Sequence, residues 1–144
     1  MNIQNKIELF NSGWRNLESI YEDYAKEVGM NYTSLHILNL IAVVDECTQS
    51  ILCERTFLPK QTVNVIVTNF YKKGWIELIE VPTDRRNKTI HLTQKGHEVT
   101  DTLIKHIQEA EKKAMETMTS SQSEELIKSI NSYGDVFRKE LLKK

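Results

Sequence analysis

The chain has 144 residues, of which 40% are hydrophobic, with five glycines, two prolines and a net charge of −1. This length and composition fit one globular domain over residues 1–144 that buries a real core. Two cysteines are too few for a disulfide scaffold. The first residues lack the apolar core of a signal peptide, and the longest apolar run, residues 35–44, is too short to span a bilayer. We therefore expect a cytoplasmic protein.

The charge is unevenly distributed along the chain. Residues 1–54 carry a net charge of −5, residues 55–95 a net charge of +5, and residues 96–144 a net charge of −1. A basic middle third inside an acidic or neutral frame is a localised electrostatic feature. Such a region is typical of a surface that contacts phosphate.

The first predicted element is an amphipathic helix over residues 3–28. Its apolar residues recur at alternating steps of four and three, namely Ile3, Ile7, Phe10, Trp14, Leu17, Tyr21, Tyr24 and Val28. A seam of this length favours packing against another helix, including one across a subunit boundary. An ordinary surface helix on its own core is the alternative. A second helix, capped by Asn31 or Thr33, is apolar nearly all round over residues 35–44 and should be buried.

Two further helices follow. Thr48 opens a short helix over about residues 49–55, and Phe57-Leu58-Pro59 forms a tight connector to a helix over residues 60–73, which Gly74 ends. Residues 63–68 are rich in β-branched side chains, which favour a strand. The spacing of Val63, Ile66 and Phe70 nevertheless makes one apolar helical face, so we predict a helix.

A β-hairpin and two long helices complete the chain. Strands are predicted over residues 75–81 and 88–92, around a basic turn at residues 84–88. Thr93 caps a helix over about residues 93–118, and Ser121-Gln122-Ser123-Glu124 forms a capping box for a last helix over about residues 122–142. The predicted fold is mainly α with a small β-hairpin wing: a winged helix-turn-helix plus dimerisation helices, in the order α1-α2-α3-α4-β-β-α5-α6.

Two motifs connect this pattern to a known family. Asp84-x-Arg86, followed by Ile90-His91-Leu92-Thr93-x-x-Gly96, resembles the wing signature of the MarR (multiple antibiotic resistance regulator) family. The run of residues 58–64, leading to residues 72–76, resembles its recognition helix and first wing strand. The resemblance implies a homodimeric transcription regulator, usually a ligand-responsive repressor, that binds double-stranded DNA at a pseudo-palindromic operator. A winged-helix protein-interaction module without sequence-specific DNA binding is the alternative.

The resemblance also divides the chain and assigns roles to its residues. It implies a DNA-binding lobe over about residues 33–96 and dimerisation helices over about residues 3–28, 93–118 and 122–142. The predicted DNA contacts are Lys60, Gln61, Thr62, Asn64, Val65, Thr68, Lys72, Arg85, Arg86 and Lys88.

The predicted contacts on the recognition helix are of two kinds, those to bases and those to phosphates. Gln61 and Asn64 can pair bidentately with adenine, and Val65 can meet a thymine methyl group. Thr68 and Lys72, further along the helix, should touch phosphates.

The basic turn has its own assignments. By resemblance, Arg86 enters the minor groove. Asp84 would be repelled by DNA, so we expect it to orient an arginine, Arg86 or Arg55, through a charge-assisted hydrogen bond. For Arg85 and Lys88 the alternative is a solvated hairpin tip.

The signal that the protein senses is less well specified. The resemblance implies a small aromatic or phenolic effector, for which the candidate contacts are Trp14, Arg15, Tyr32 and His36. The alternative is that each of them is a packing residue, which is the more common role for such side chains. We expect Cys47 at a loop end and Cys53 packed beside Leu52, without a redox role. The histidines are scattered, so no metal or cofactor is expected. The sequence contains no catalytic triad, phosphate loop or metal motif, so we predict that the chain is not an enzyme.

Overall fold

The computed structural model describes residues 1–143, and of Arg85 it describes the backbone only. Within these residues the order is four helices, a two-stranded antiparallel sheet and two more helices, which confirms the predicted fold class. The elements are α1 (Ile3–Glu27), α2 (Tyr32–Val43), α3 (Gln49–Thr56), α4 (Lys60–Lys72), β1 (Ile76–Val81), β2 (Asp84–Leu92), α5 (Gln94–Glu116) and α6 (Ser120–Leu141). They form two compact units, one from Met1 to Ile104 and one that begins at Lys105. None of the described helices combines the length and the apolar character that crossing a membrane requires.

Side-chain caps fix the starts of the first three helices. The Oδ1 atom of Asn2 accepts a hydrogen bond from the Asn5 N–H, and Asn31 accepts one from Ser34, each at 2.8 Å. Thr48 Oγ1 accepts the Ile51 N–H at 3.2 Å. Each contact satisfies a backbone donor that the first helical turn leaves without an intrahelical acceptor. Of the two candidate caps for α2, the structure selects Asn31.

The core of the first unit joins α2, α3, α4 and the hairpin. It contains Ile37, Leu38, Ile41, Cys47, Leu52, Val63, Ile66, Val67, Phe70, Ile76 and Ile90. Four of these side chains belong to α4 and lie on one of its faces. Their burial against α2 and the sheet explains why β-branched residues are helical here, because tertiary packing overrides the modest helix propensity. The helical periodicity of this segment was therefore the better guide.

The hairpin differs from its predicted form. Residues 84–88 are not the turn: the chain reverses at Pro82-Thr83, and β2 already begins at Asp84. Proline presets the backbone angle that such turns require. The strand pairing is regular from Ile76–Leu92 to Glu80–Lys88 and then shifts, so that Val81 pairs with Asp84. The basic residues consequently lie on an irregular segment of β2 beside the turn.

Thr93 and Gly96 join the hairpin to α5. The Thr93 N–H donates to the Trp75 carbonyl at 2.9 Å, and its hydroxyl donates to the Gly74 carbonyl at 2.6 Å. The same hydroxyl oxygen accepts the Gly96 N–H at 3.0 Å. Gly96 is so close to Trp75 that a Cβ atom would lie 2.0 Å from the Trp75 carbonyl oxygen. The motif Thr93-x-x-Gly96 therefore fixes where the wing meets the helix.

The last helix begins earlier than predicted. Thr119 is its N-cap: the Thr119 hydroxyl accepts the Gln122 N–H at 3.1 Å, and the Gln122 side chain accepts the Thr119 N–H at 2.9 Å. The predicted capping box at residues 121–124 is wrong. Both segments fit the Ser/Thr-x-x-Gln/Glu pattern, and the one that comes first in the chain forms the cap.

Much apolar surface of α1 and α6 is exposed in the single chain. In α1, Ala25 is buried and the Tyr24 hydroxyl donates to the Leu103 carbonyl of α5 at 3.1 Å, but Ile3, Trp14 and Leu17 are 73%, 47% and 54% exposed. No described residue of α6 is buried. Its exposed large side chains are Leu126, Ile127, Ile130, Tyr133, Val136, Phe137 and Leu141.

Candidate nucleic-acid interface

The outward face of α4 carries most of the residues predicted to contact DNA. Lys60, Gln61, Thr62, Asn64, Val65 and Lys72 are exposed, and Thr68 is half-buried. Since the buried face of the helix is formed by Val63, Ile66, Val67 and Phe70, residues 61, 65, 68 and 72 form a stripe directly opposite the core. The α4 side chains that are predicted to contact DNA thus point away from the core of the protein.

A groove of about 620 Å³ lies between α3, the start of α4 and the hairpin. Three predicted cationic contacts line it, Lys60 on α4 and Arg86 and Lys88 on β2, and Asn64 lines it from the recognition helix. The structure therefore brings these four predicted residues to one surface. Gln61, Thr62, Val65, Thr68 and Lys72 lie outside this groove, on the remaining exposed surface of α4. The side chain of Arg85 is outside the described residues.

Asp84 acts on the backbone around Arg86. Its Oδ1 accepts the Arg86 N–H at 3.0 Å, and its Oδ2 accepts the side-chain amide of Asn87 at 3.1 Å. This arrangement is an Asx-type turn, in which the carboxylate replaces a backbone acceptor. Among the described residues, Asp84 makes no ion pair with the guanidinium of Arg86 or Arg55. The expected charge-assisted hydrogen bond to a guanidinium is thus replaced by hydrogen bonds from the Arg86 N–H and the Asn87 amide.

The start of α4 offers backbone donors to the same surface. Its N-cap is Pro59, which has no side-chain acceptor, so no capping hydrogen bond covers the first turn. Unsatisfied N–H groups at a helix N-terminus favour a phosphate. Lys60 stands directly beside them.

Sequence reasoning missed the contribution of α3 to this surface. Thr48, Gln49 and Ser50 line the groove, and the Gln49 Nε2 donates to the Asn64 Oδ1 at 3.4 Å. A contact between two helices has no local sequence signal. The polar run of residues 48–50 was the only clue available.

The predicted effector contacts are divided between two environments. Tyr32 stacks between Tyr21 of α1 and His36 of α2, with ring centroids 5.3 and 5.9 Å apart. Trp14 donates its indole N–H to Glu18 on its own helix at 2.9 Å, and Arg15 is exposed. The structure thus places Tyr32 and His36 together, in an aromatic stack at the junction of α1 and α2.

Cys47 lies at the end of the loop before α3 and Cys53 lies on α3, as expected, but Cys47 is also buried. Cys47 is 1% exposed and belongs to the core, because its backbone carbonyl accepts the Ile90 N–H at 2.7 Å and holds the loop against β2. Burial raises the pKa of the Cys47 thiol to about 11, against the lowering effect of Arg55. A thiol with so high a pKa has little thiolate character near neutral pH. Cys53 is half-buried and packs against the core, where the sequence placed it. Within the described part of the chain, no group of three or more His, Cys, Asp or Glu residues is arranged to hold a metal ion.

Comparison with known proteins agrees with this geometry. Residues 28–87 match the model of the MarR family. The HTH-type transcriptional regulator SarZ of Staphylococcus epidermidis is 31% identical over 83 residues, which are 58% of this chain and 56% of that protein. The matched region thus spans little more than half the length of this curated relative. SarZ of Staphylococcus saprophyticus matches at 31% identity over 83 residues, again 58% of this chain and 57% of that protein.

Solved structures share the fold over nearly the whole chain. A MarR family regulator from Neisseria meningitidis has a TM-score of 0.82 and 23% identity, over 98% of this chain and 97% of that one. Streptococcus pneumoniae FabT, solved in complex with DNA, has a TM-score of 0.69 and 22% identity, over 99% of this chain and 100% of that one. The two SarZ relatives are named as HTH-type transcriptional regulators. Residues 28–87 thus resemble the MarR family in sequence, and the chain shares the winged-helix fold of a solved MarR family regulator.

Proposed function

We propose that this chain is a homodimeric transcription regulator that binds specific DNA sequences and is located in the cytoplasm. The observation that carries the proposal is the single basic groove to which α4 contributes Lys60 and Asn64 and the hairpin contributes Arg86 and Lys88. The side-chain amide on the helix can bind a base edge, and the neighbouring cations can bind phosphates. FabT, which shares the fold, is solved in complex with DNA, and this supports DNA binding by the chain. A protein-interaction module needs neither feature.

In the proposed complex, the outward stripe of α4 enters the major groove and the wing reaches the adjacent backbone or minor groove. Each subunit would read one half-site of a pseudo-palindrome, with half-site centres about 10 bp apart. The exposed apolar faces of α1 and of α6 support the dimer, because monomeric soluble proteins rarely leave such continuous apolar surfaces uncovered.

Arg86→Ala tests the wing directly. Because Arg86 is exposed on the groove and its backbone is held by Asp84, the loss of a charge-assisted contact should weaken operator binding by about tenfold per subunit. If Arg86 neutralises a phosphate, the slope of log affinity against log salt should also become shallower by about one per subunit. Fluorescence anisotropy titrations at several salt concentrations measure both quantities.

Lys128→Ala is the matched control for this measurement. It removes an exposed cation from α6, so it should leave affinity and salt slope near those of the unmodified chain. Gel filtration shows whether each variant keeps its oligomeric state. An Arg86→Ala protein that binds with unchanged affinity and slope would refute the role of the wing.

We also propose that the regulator is a repressor released by a small aromatic or phenolic effector. The stack of Tyr21, Tyr32 and His36 supports this, since an aromatic molecule can extend a stack of rings. A thermal-shift screen with benzoates and phenols should find a compound that raises the melting temperature by a few degrees. Tyr32→Ala should abolish that shift, whereas Tyr71→Ala on α4, which removes an exposed tyrosine, should retain it. Equal shifts for both variants would place the effector elsewhere.

A further inference from the structure

The turn between α3 and α4 carries a phenylalanine in a conformation that this residue rarely adopts. Phe57 ends α3 with a φ of 58° and a ψ of 21°, in the left-handed region that glycine usually occupies at the end of a helix. A bulky side chain is sterically disfavoured there. The side chain is also 80% exposed, so its burial within the described chain does little to offset this cost. The stability of the fold alone therefore favours glycine over phenylalanine at this position.

The residues around Phe57 hold the turn in one shape. The Phe57 N–H donates to the Cys53 carbonyl at 2.9 Å. The Thr56 hydroxyl donates to the Leu52 carbonyl at 2.6 Å, and its oxygen accepts the Leu58 N–H at 3.3 Å. Leu58 packs against the core and anchors the inner side of the turn. The exposed ring of Phe57 is thus carried on the outer side by a backbone that hydrogen bonds fix.

This ring lies beside the residues that are predicted to contact DNA. Lys60, the first residue of α4, lines the basic groove and is three positions along the chain, so the two Cα atoms are at most about 11 Å apart. The first turn of α4 has no side-chain cap after Pro59, and its N–H groups suit a phosphate. The deoxyribose next to such a phosphate is the nearest apolar part of the DNA backbone. It is therefore the surface that an aromatic ring on this turn can cover.

We propose that Phe57 is a DNA-binding residue, whose ring packs against a deoxyribose beside the phosphate at the start of α4. The inference rests on the proposed function, because it needs a complex in which α4 lies in the major groove. Contact with DNA compensates for a backbone conformation that lowers the stability of the free protein. It also adds an apolar contact to a surface whose other contacts are cations and amides.

Phe57→Gly should change stability and DNA affinity in opposite directions. Glycine adopts the left-handed region without steric cost, so the melting temperature should rise by about 2 °C. Loss of the ring should weaken DNA binding by about three- to tenfold per subunit, as expected when part of an aromatic side chain is no longer buried. The slope of log affinity against log salt should not change, because an apolar contact releases no counterion. A purely structural role for Phe57 predicts no loss of affinity in a more stable protein.

The DNA for these measurements is the duplex that the unmodified chain selects from randomised sequences. Fluorescence anisotropy gives the affinity, and thermal unfolding gives the melting temperature. Phe57→Asn should lose as much affinity as Phe57→Gly, because asparagine also tolerates the left-handed region and is less flexible than glycine. Phe57→Trp retains an aromatic ring and should bind nearly as tightly as the unmodified chain.

Glu46→Gly is the matched control for the backbone effect. Glu46 is exposed in the loop before α3 and also has a left-handed conformation, with a φ of 50°. It does not line the basic groove. Its replacement should raise the melting temperature to a similar extent without weakening DNA binding.

Uracil in place of thymine separates a contact with the sugar from a contact with a base. Removal of the thymine methyl group leaves every deoxyribose unchanged, so the ratio of the affinities of the unmodified chain and Phe57→Gly should be the same on both duplexes. A ratio near one on the uracil duplex would assign the ring to a thymine methyl group and overturn the contact with the sugar.

The remaining outcomes are distinct. Weaker binding by Phe57→Gly and Phe57→Asn, with an unchanged salt slope and a raised melting temperature for Phe57→Gly, supports the inference. Affinity equal to that of the unmodified chain overturns it and leaves the proposed function intact. A lower melting temperature for Phe57→Gly also overturns it, because the ring would then stabilise the free protein. If the unmodified chain selects no sequence at all, the proposed function fails and the inference fails with it.

Discussion

Gly96→Ala is expected to destabilise the fold by about 3 kcal/mol, near the upper end for an added methyl group in a packed site. The new Cβ would lie 2.0 Å from the carbonyl oxygen of Trp75 and 3.2 Å from the Leu92 Cδ2. A leucine side chain can rotate away, but the Trp75 carbonyl is backbone and also accepts the Thr93 N–H. Relief of the clash must therefore separate the start of α5 from the hairpin. The damage should extend to the wing that Thr93 anchors.

Thermal unfolding at a fixed protein concentration measures this effect, since the melting temperature of an oligomer depends on concentration. For a chain of this size the loss corresponds to a decrease of about 10 °C. Gly13→Ala is the matched control, because a Cβ at that position meets nothing within 4 Å. In the middle of α1 it should stabilise by up to about 1 kcal/mol. Equal melting temperatures for the two variants would show that the contact between Gly96 and Trp75 adapts to the added methyl group without loss of stability.

The motif explains why this part of the structure was accessible from sequence. Thr93-x-x-Gly96 couples a hydroxyl that bonds both to Gly74 and to Gly96 with a glycine that leaves room for Trp75. Only the hydrogen bond from the Gly96 N–H to the Thr93 hydroxyl is local, so the pattern predicts the start of α5, whereas the contacts with Gly74 and Trp75 form only in the folded chain. The same holds for the helices, whose apolar spacing follows directly from the core that they face.

Features that depend on contacts distant in sequence were not predictable. The basic segment was expected to be a turn, but strand pairing continues to Asp84, and Pro82, which lies in the turn, was the better indicator. Cys47 was correctly placed at a loop end, but its burial in the core was not predicted, since only the folded chain brings β2 against it. Gln49 was missed for the same reason: its partner Asn64 is fifteen positions away on another helix. The groove beside α4 is thus lined partly by residues of another helix.

The apolar face of α6 leads to the prediction with the largest functional effect. Ile130→Glu should convert the proposed dimer into monomers, because Ile130 and Ile127 lie one turn apart on a helix without a buried residue in the described chain. A carboxylate buried between two apolar helices without a partner is strongly unfavourable. Sedimentation equilibrium should therefore show the mass of one chain for this variant and of two chains for the unmodified protein.

Loss of the dimer should lower the affinity for a full operator, because a monomer can bind only one half-site at a time. Two linked DNA-binding subunits bind about two to four orders of magnitude more tightly than one. Ile130→Glu should therefore weaken binding to a full operator by at least about a hundredfold. Binding to an isolated half-site should change little, because α4 and the wing belong to the other compact unit. Ser132→Glu adds the same charge about 200° around the helix from residue 130, and it should leave both the mass and the affinity unchanged. A monomeric Ile130→Glu protein that still binds the full operator with unchanged affinity would contradict recognition by a dimer, since the second subunit would then contribute nothing.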